Sequence, residues 1–193
     1  MAAASVTRVV RRCEEAKSDG NLDLASCELT SFPVFVTDLA SCELTSFPVA
    51  VYQLLRNTEV HCCILNSNLL KLLPKRLPAQ FPHLQELQLS RNQLQSLPAE
   101  LQQLQQLQRL DISHNRFSIF PEAVFQLKAL VSLNASNNAI VGVDVGKLGG
   151  MESVADVDLQ ANPLAEAVHN DLQQLPRPKV TVSPWEEHFQ DME

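Results

Sequence analysis

Through the middle of the chain, apolar residues recur with a fixed rhythm around asparagines. The segments "LQELQLSRNQLQSLP" (84–98) and "LQRLDISHNRFSIFP" (107–121) set the pattern. "VHCCILNSNLLKLLP" (60–74), "LVSLNASNNAI" (130–140) and "VADVDLQANPL" (154–164) repeat it. Apolar side chains stand three and five positions before each asparagine, and two and usually five after it. The asparagines are Asn68, Asn92, Asn115, Asn138 and Asn162, spaced 24, 23, 23 and 24. A constant period of this size predicts a solenoid, because no single coil can bury its apolar side alone. Within each "L-x-L" the two outer residues point to one side and the middle one to the other, as on a short strand with one face inward. Pro74, Pro98 and Pro121 withhold a ladder donor, so the chain is expected to leave the sheet there. Each asparagine carries both donor and acceptor, and can satisfy backbone groups in its own coil and in the next.

The ends depart from this rhythm. Val6, Val9, Val10 and Cys13 fall at helical spacing, with Gly20 as a stop signal after "EEAKSD". This predicts an N-terminal helix over 1–20 that covers the open side of the first coil. At the other end "RPKVTVSPWEEHFQDME" abandons the repeat, and Ser183, Pro184 and Glu186 suggest a helix start. Trp185 or Phe189 would then pack on the last coil.

The pattern resembles the leucine-rich repeat family, in the variant whose convex side opens with "LP" or "FP". The resemblance spans residues 20–175 and rests on repeated matches in one phase. It implies an α/β fold: a leucine-rich repeat solenoid with a short curved parallel sheet, an irregular or helical convex side and an N-terminal cap helix. The expected organisation is a cap helix over 1–20, about six coils over 21–175, and a C-terminal cap or tail over 176–193. Asparagine side chains would be laddered inside, and the concave sheet face would meet the partner.

One stretch breaks the period. "DLASCELTSFPV" occurs at 23–34 and again, letter for letter, at 38–49. Both copies fit the template, with Leu24 and Leu39 inward and Cys27 and Cys42 in the asparagine position. Cys27 and Cys42 are 15 apart, however, below the roughly 20 residues of the shortest coils of this kind. Only the second copy continues into a convex return, "VAVYQLLRN" (49–57). The first has the better strand entry, "NLDL", where the second has "VTDL" with Thr37 at an inward position. An in-frame tandem duplication within one coil accounts for both facts. The expectation is that the second copy forms the regular coil, with the first as a compressed edge strand between it and the cap helix.

Composition narrows the function classes. The net charge is -7, which disfavours nucleic acid and anionic membrane as partners. With five glycines there is no GxGxxG and no GxxxxGK[ST] phosphate loop, so no nucleotide cofactor is expected. No run approaches the roughly 20 apolar residues of a membrane span. The N-terminal arginines sit where a signal peptide needs an apolar core. Cys13, Cys27, Cys42, Cys62 and Cys63 are odd in number and lie in the first third, which fits reduced thiols in the cytosol or nucleus.

Two letter groups suggest chemistry but sit on the repeat template. "DISH" places Asp111, Ser113 and His114 together, the residues of a hydrolase triad, along one strand and its turn rather than converging. In "HCC" (61–63), alternation sends Cys63 inward and Cys62 outward, so neighbours on a strand cannot share a tetrahedral ion. Neither catalytic nor metal-binding residues are assigned, and Cys62 is the more accessible thiol.

The remaining surface is the concave face. One column of outward positions holds Asp38, Ile64, Gln88, Asp111, Asn134 and Asp158, and its neighbour holds Cys62, Glu86, Arg109, Ser132 and Asp156. It is small, polar and net acidic, with a basic island at Arg91, Arg109 and His114. The expected function is a non-enzymatic adaptor that binds a protein through this face. The alternatives are a regulatory or inhibitory subunit of an enzyme such as a phosphatase, and a serine hydrolase using Ser113 and His114. The structural counterpart is the ladder Cys27, Cys42, Asn68, Asn92, Asn115, Asn138 and Asn162.

Overall fold

The computed structural model describes residues 2–23, 49–55 and 57–184. Among these residues, seven three-residue strands stack in chain order into one parallel sheet. They are β1 (Asn21–Asp23), β2 (Cys62–Ile64), β3 (Glu86–Gln88), β4 (Arg109–Asp111), β5 (Ser132–Asn134), β6 (Asp156–Asp158) and β7 (Lys179–Thr181). The middle residue of each strand faces the core. Leu22, Cys63, Leu87, Leu110, Leu133, Val157 and Val180 are therefore brought into one register. A second buried row, Leu65, Leu89, Ile112, Ala135 and Leu159, follows two residues later. Leu70, Leu94, Phe117, Ile140 and Leu164 form a third beyond the turn. These rows are the apolar positions of the repeat, and stacking removes each from water on both sides.

The convex side is built from short helical pieces. These are α2 (Val49–Leu54), α3 (Leu77–Gln80), 3-10 turns at Ala99–Gln103 and Glu122–Gln126, α4 (Val145–Gly149) and α5 (Glu166–Gln173). The prolines open them in a definite way. The carbonyls of Pro74, Pro98 and Pro121 accept from the N–H groups of Leu77, Leu101 and Val124 at 3.0–3.1 Å, closing the first turn of each piece. The coil without proline uses Asp144, whose side chain accepts from Lys147 N. Among the described helices none is long and apolar enough to cross a membrane.

Helix α1 (Ala2–Asp19) lies where the spacing places it, and ends at Gly20 with φ +70°. Its Cys13 and Ala16 join the core beside Leu22. Arg12 Nη1 donates to the carbonyl of Asp23 at 2.9 Å, and the same group is ion-paired with the Asp23 carboxylate.

Two expectations change. First, β1 comes from the entry to the first copy of the doubled segment and pairs directly with β2, with Asn21, Leu22 and Asp23 opposite Cys62, Cys63 and Ile64. The regular position beside β2 is therefore not held by the second copy. The reason lies in the core: the inward position is fully buried, and it takes Leu22 where the second copy would offer Thr37. Residues 24–48, including Cys27, Asp38 and Cys42, lie outside the described residues. Second, the sheet runs on into β7 within the segment assigned to the tail. "KVT" alternates like the other strands, but no asparagine follows to mark it. Trp185, Glu186 and Phe189 lie outside the described residues.

Candidate functional site

The turn after each strand fixes what the concave face can present. The residue just before the ladder asparagine is left-handed in five successive coils: Ser67, Arg91, His114, Asn137 and Ala161, with φ between 51° and 55°. None is glycine, so each holds a conformation that costs roughly 1 kcal/mol. Backbone bonds to the next coil offset it. Ser67, Arg91, His114 and Asn137 donate to the carbonyls of Ser90, Ser113, Ser136 and Gln160 at 2.9–3.1 Å. In the coil of β6 the equivalent residue of the next segment is Ser183, and there its Oγ rather than its carbonyl accepts from Ala161 N, at 2.7 Å.

Inside the turns the asparagines bind in one repeating arrangement. Asn115 Nδ2 donates to the carbonyls of Ile112 and Ser113 in its own coil and Leu89 in the preceding one, at 2.9–3.1 Å. Its Oδ1 accepts from Leu94 N at 3.0 Å. Asn92, Asn138 and Asn162 repeat this, with Oδ1 accepting from Leu70, Phe117 and Ile140. Asn68 donates to the carbonyls of Leu65 and Asn66.

On the concave face two columns emerge from the register. One runs Asn21, Cys62, Glu86, Arg109, Ser132, Asp156 and Lys179. The other runs Asp23, Ile64, Gln88, Asp111, Asn134, Asp158 and Thr181. Asp23 stands at the head of the second column, where sequence analysis put Asp38. Arg109 donates through Nε and Nη2 to Glu86 Oε2 at 2.9 and 2.7 Å. Gln88 Nε2 donates to the other oxygen of Glu86, and Asn66 Nδ2 donates to Gln88 Oε1 at 2.8 Å. The hydrogen bond from Gln88, then the bonds and charge of Arg109, hold the Glu86 carboxyl below its usual range.

Arg109 is therefore committed to Glu86, and the basic island of the sequence reading is divided. Arg91 and His114 are exposed at the left-handed turn positions, off the strands. Three acidic or amide members of the column have a second role. Asp111, Asn134 and Asp158 accept through Oδ1 from the backbone N–H two residues on, at Ser113, Ser136 and Gln160. These are Asx turns. The signal is present in the sequence as Asp or Asn three positions before the left-handed residue, and the sequence reading did not use it. Arg12 was also missed, since it lies off the repeat, and Ser183, read from the sequence as part of a helix start, was not foreseen as the acceptor for Ala161 N.

In the centre of the face a depression of about 180 Å³ is lined by Glu86, Gln88, Arg109, Asp111, Ser132 and Asn134. Ser132 Oγ donates to Asp156 Oδ2 at 2.5 Å. Asp111 spends one carboxylate oxygen on the Ser113 backbone, while Ser113 is buried and His114 points from the exposed turn. Cys63 is fully buried and Cys62 half-buried. Burial, followed by the Glu86 charge, pushes the Cys62 thiol up to about 11, which keeps it protonated at neutral pH. Among the described residues no group of three or more His, Cys, Asp or Glu could hold a metal ion.

The stacked parallel strands, the asparagine ladder and the period of 23–24 define a class, and the family model "Leucine-rich repeat region" matches residues 25–192. The chain belongs to the leucine-rich repeat family. It is 46% identical over 168 residues to leucine-rich repeat-containing protein 20 of Mus musculus, covering 85% of this chain and 83% of that one. To leucine-rich repeat-containing protein 20 of Homo sapiens it is 36% identical over 105 residues, covering 52% and 49%. Among solved structures, a leucine-rich repeat protein of Leptospira interrogans matches with a TM-score of 0.54 at 20% identity, covering 92% of this chain and 56% of that one. An internalin of Listeria monocytogenes matches with a TM-score of 0.52 at 20% identity, covering 66% and 35%. At that identity the likeness concerns the fold alone. Leucine-rich repeat proteins generally mediate protein–protein interaction and are generally non-enzymatic.

Proposed function

We propose that the chain is a non-enzymatic adaptor that binds a protein partner across its concave sheet face. The observation that carries this is the face itself. Seven strands present two continuous columns of side chains away from the core, with a polar depression at their centre. The depression offers donors and acceptors held in place by neighbours, an arrangement suited to a rigid contact surface. Arg109→Glu would set two carboxylates against each other, and Ser132→Arg would fill the depression. Both positions are on the surface side of their strands, so circular dichroism should be unchanged. Affinity purification from cells should return a stoichiometric protein partner with the parent chain and lose it with either variant. If both variants retain every partner, the contact lies elsewhere. The setting of this reading is the cytosol or nucleus, and cell fractionation tests it.

A further inference from the structure

Beyond the concave face, one flank of the solenoid gathers charge of the opposite sign to the chain as a whole. The only lysines and arginines in residues 117–193 are Lys128, Lys147, Arg177 and Lys179, against eleven acidic residues in the same stretch. All four line two adjoining depressions on the side where the chain enters β5, β6 and β7. The first, about 710 Å³, is lined by Phe125, Lys128, Lys147, Met151 and Glu152 among others. The second, about 480 Å³, shares Glu152 and Ser153 with it and adds Pro176, Arg177, Pro178 and Lys179.

The cations differ in how far they are already engaged. Lys147 pairs with Glu122 at 2.9 Å and Asp144 at 3.6 Å, and its Nζ stands 5.5 Å from the centre of the Phe125 ring. Lys128, Arg177 and Lys179 are exposed and have no ion pair among the described residues. Asp156 stands opposite Lys179 in the ladder but accepts from Ser132. Glu152, between the two depressions, is the acid that opposes the three cations. The groove therefore combines unspent positive charge with half-buried Phe125 and Met151.

We propose that this flank docks an acidic peptide segment of a protein partner, laid along the groove from Phe125 to Lys179, with an apolar side chain beside Phe125 and Met151. Carboxylates would answer Lys128, Arg177 and Lys179, where guanidinium and ammonium donors are free. The chain's own acidic end is a poorer occupant, because the chain leaves the sheet at the other end of the strands. There Ser183 is held by Ala161 N and by His169 Nε2, at 2.7 and 2.9 Å.

The test is fluorescence anisotropy of the full chain with a labelled peptide of glutamates punctuated by phenylalanine. A glutamine version of the peptide, an oligouridylate and phosphatidylserine vesicles serve as competitors. Lys128→Glu with Arg177→Glu should weaken peptide binding about tenfold or more, and raising salt should weaken it in the parent. Lys128→Ala with Arg177→Ala should show a smaller loss, and Ser132→Arg on the concave face none. Equal affinity for the glutamine peptide, or no change on charge reversal, would overturn the proposal. So would preferential retention of the oligouridylate or the vesicles. Binding about tenfold tighter after removal of residues 185–193 would identify the tail as occupant and overturn it as well.

Discussion

Removing one copy of the doubled segment tests how the first coil is built. From the end of β1 at Asp23 to the start of α2 at Val49 the chain spends 25 residues, 24–48. In the coils of β3, β4 and β5 the same connection takes 10, as in 89–98, 112–121 and 135–144. The excess is 15, the offset between the two copies. Deleting 24–38 joins Asp23 to Leu39 and leaves "NLDLASCELTSFPVAVYQL", a coil of regular length with the same β1. If the surplus contributes only chain length, shortening the connection from 25 to 10 residues lowers the closure entropy by (3/2)RT ln 2.5. That is about 0.8 kcal/mol of added stability. Urea denaturation followed by circular dichroism should show the unfolding free energy rising by that amount, as a higher midpoint with an unchanged slope. A loss of about 1 kcal/mol or more would show that the surplus residues pack into the native core rather than adding chain length alone. Leu22→Thr is the companion variant. It converts the fully buried entry residue into the type found at Thr37 and should cost about 2–3 kcal/mol.

Further outcomes follow from the ladder and the concave face. Asn115→Ala strands the Leu94 N–H and leaves three carbonyls with one partner fewer, and should destabilise by about 2–4 kcal/mol in urea, whereas exposed Gln95→Ala should change little. Cys62, pushed up to about 11, should react slowly with iodoacetamide at neutral pH and speed up as pH climbs toward that value, while Cys63 stays protected. Glu86→Gln should bring the Cys62 rate up at a given pH, as read by mass spectrometry of the modified peptide. Because the Glu86 carboxyl is held low in the folded state, its contribution is present above the ordinary carboxylate range and is lost as pH falls through its lowered value. Arg109→Gln should remove part of that acid-side dependence, about 0.5 kcal/mol for an exposed pair, measured as Tm against pH.

The repeating part of the fold was legible because every coil restates it. The apolar rows and Asn68 to Asn162 occur at fixed offsets, and the stacking that makes them a core also makes them a pattern. Where there is no repetition, the sequence was a poorer guide. The doubled segment offers two identical candidates for one coil, and the choice turned on Leu22 against Thr37 in a single buried position. β7 carries the alternation but no asparagine follows it, so only the period-two pattern was there to mark it. At the concave face, outward direction was readable from period two, but side-chain commitments were not. Arg109 could be placed on the surface from spacing alone, whereas its pairing with Glu86 depends on which strand lies next door. The Asx turns at Asp111, Asn134 and Asp158 show the same limit, since a local backbone partner and a distant protein partner call for the same residue type.

Crosslinking mass spectrometry in cells, with a reagent joining acidic side chains, addresses the central claim most directly. A partner docked in the sheet concavity should give crosslinks from Glu86, Asp111, Asp156 and Asp158 to one protein, and Ser132→Arg should abolish them together. Crosslinks confined to Glu166, Asp171 and other positions of the convex side, unchanged by Ser132→Arg, would contradict a concave-face adaptor.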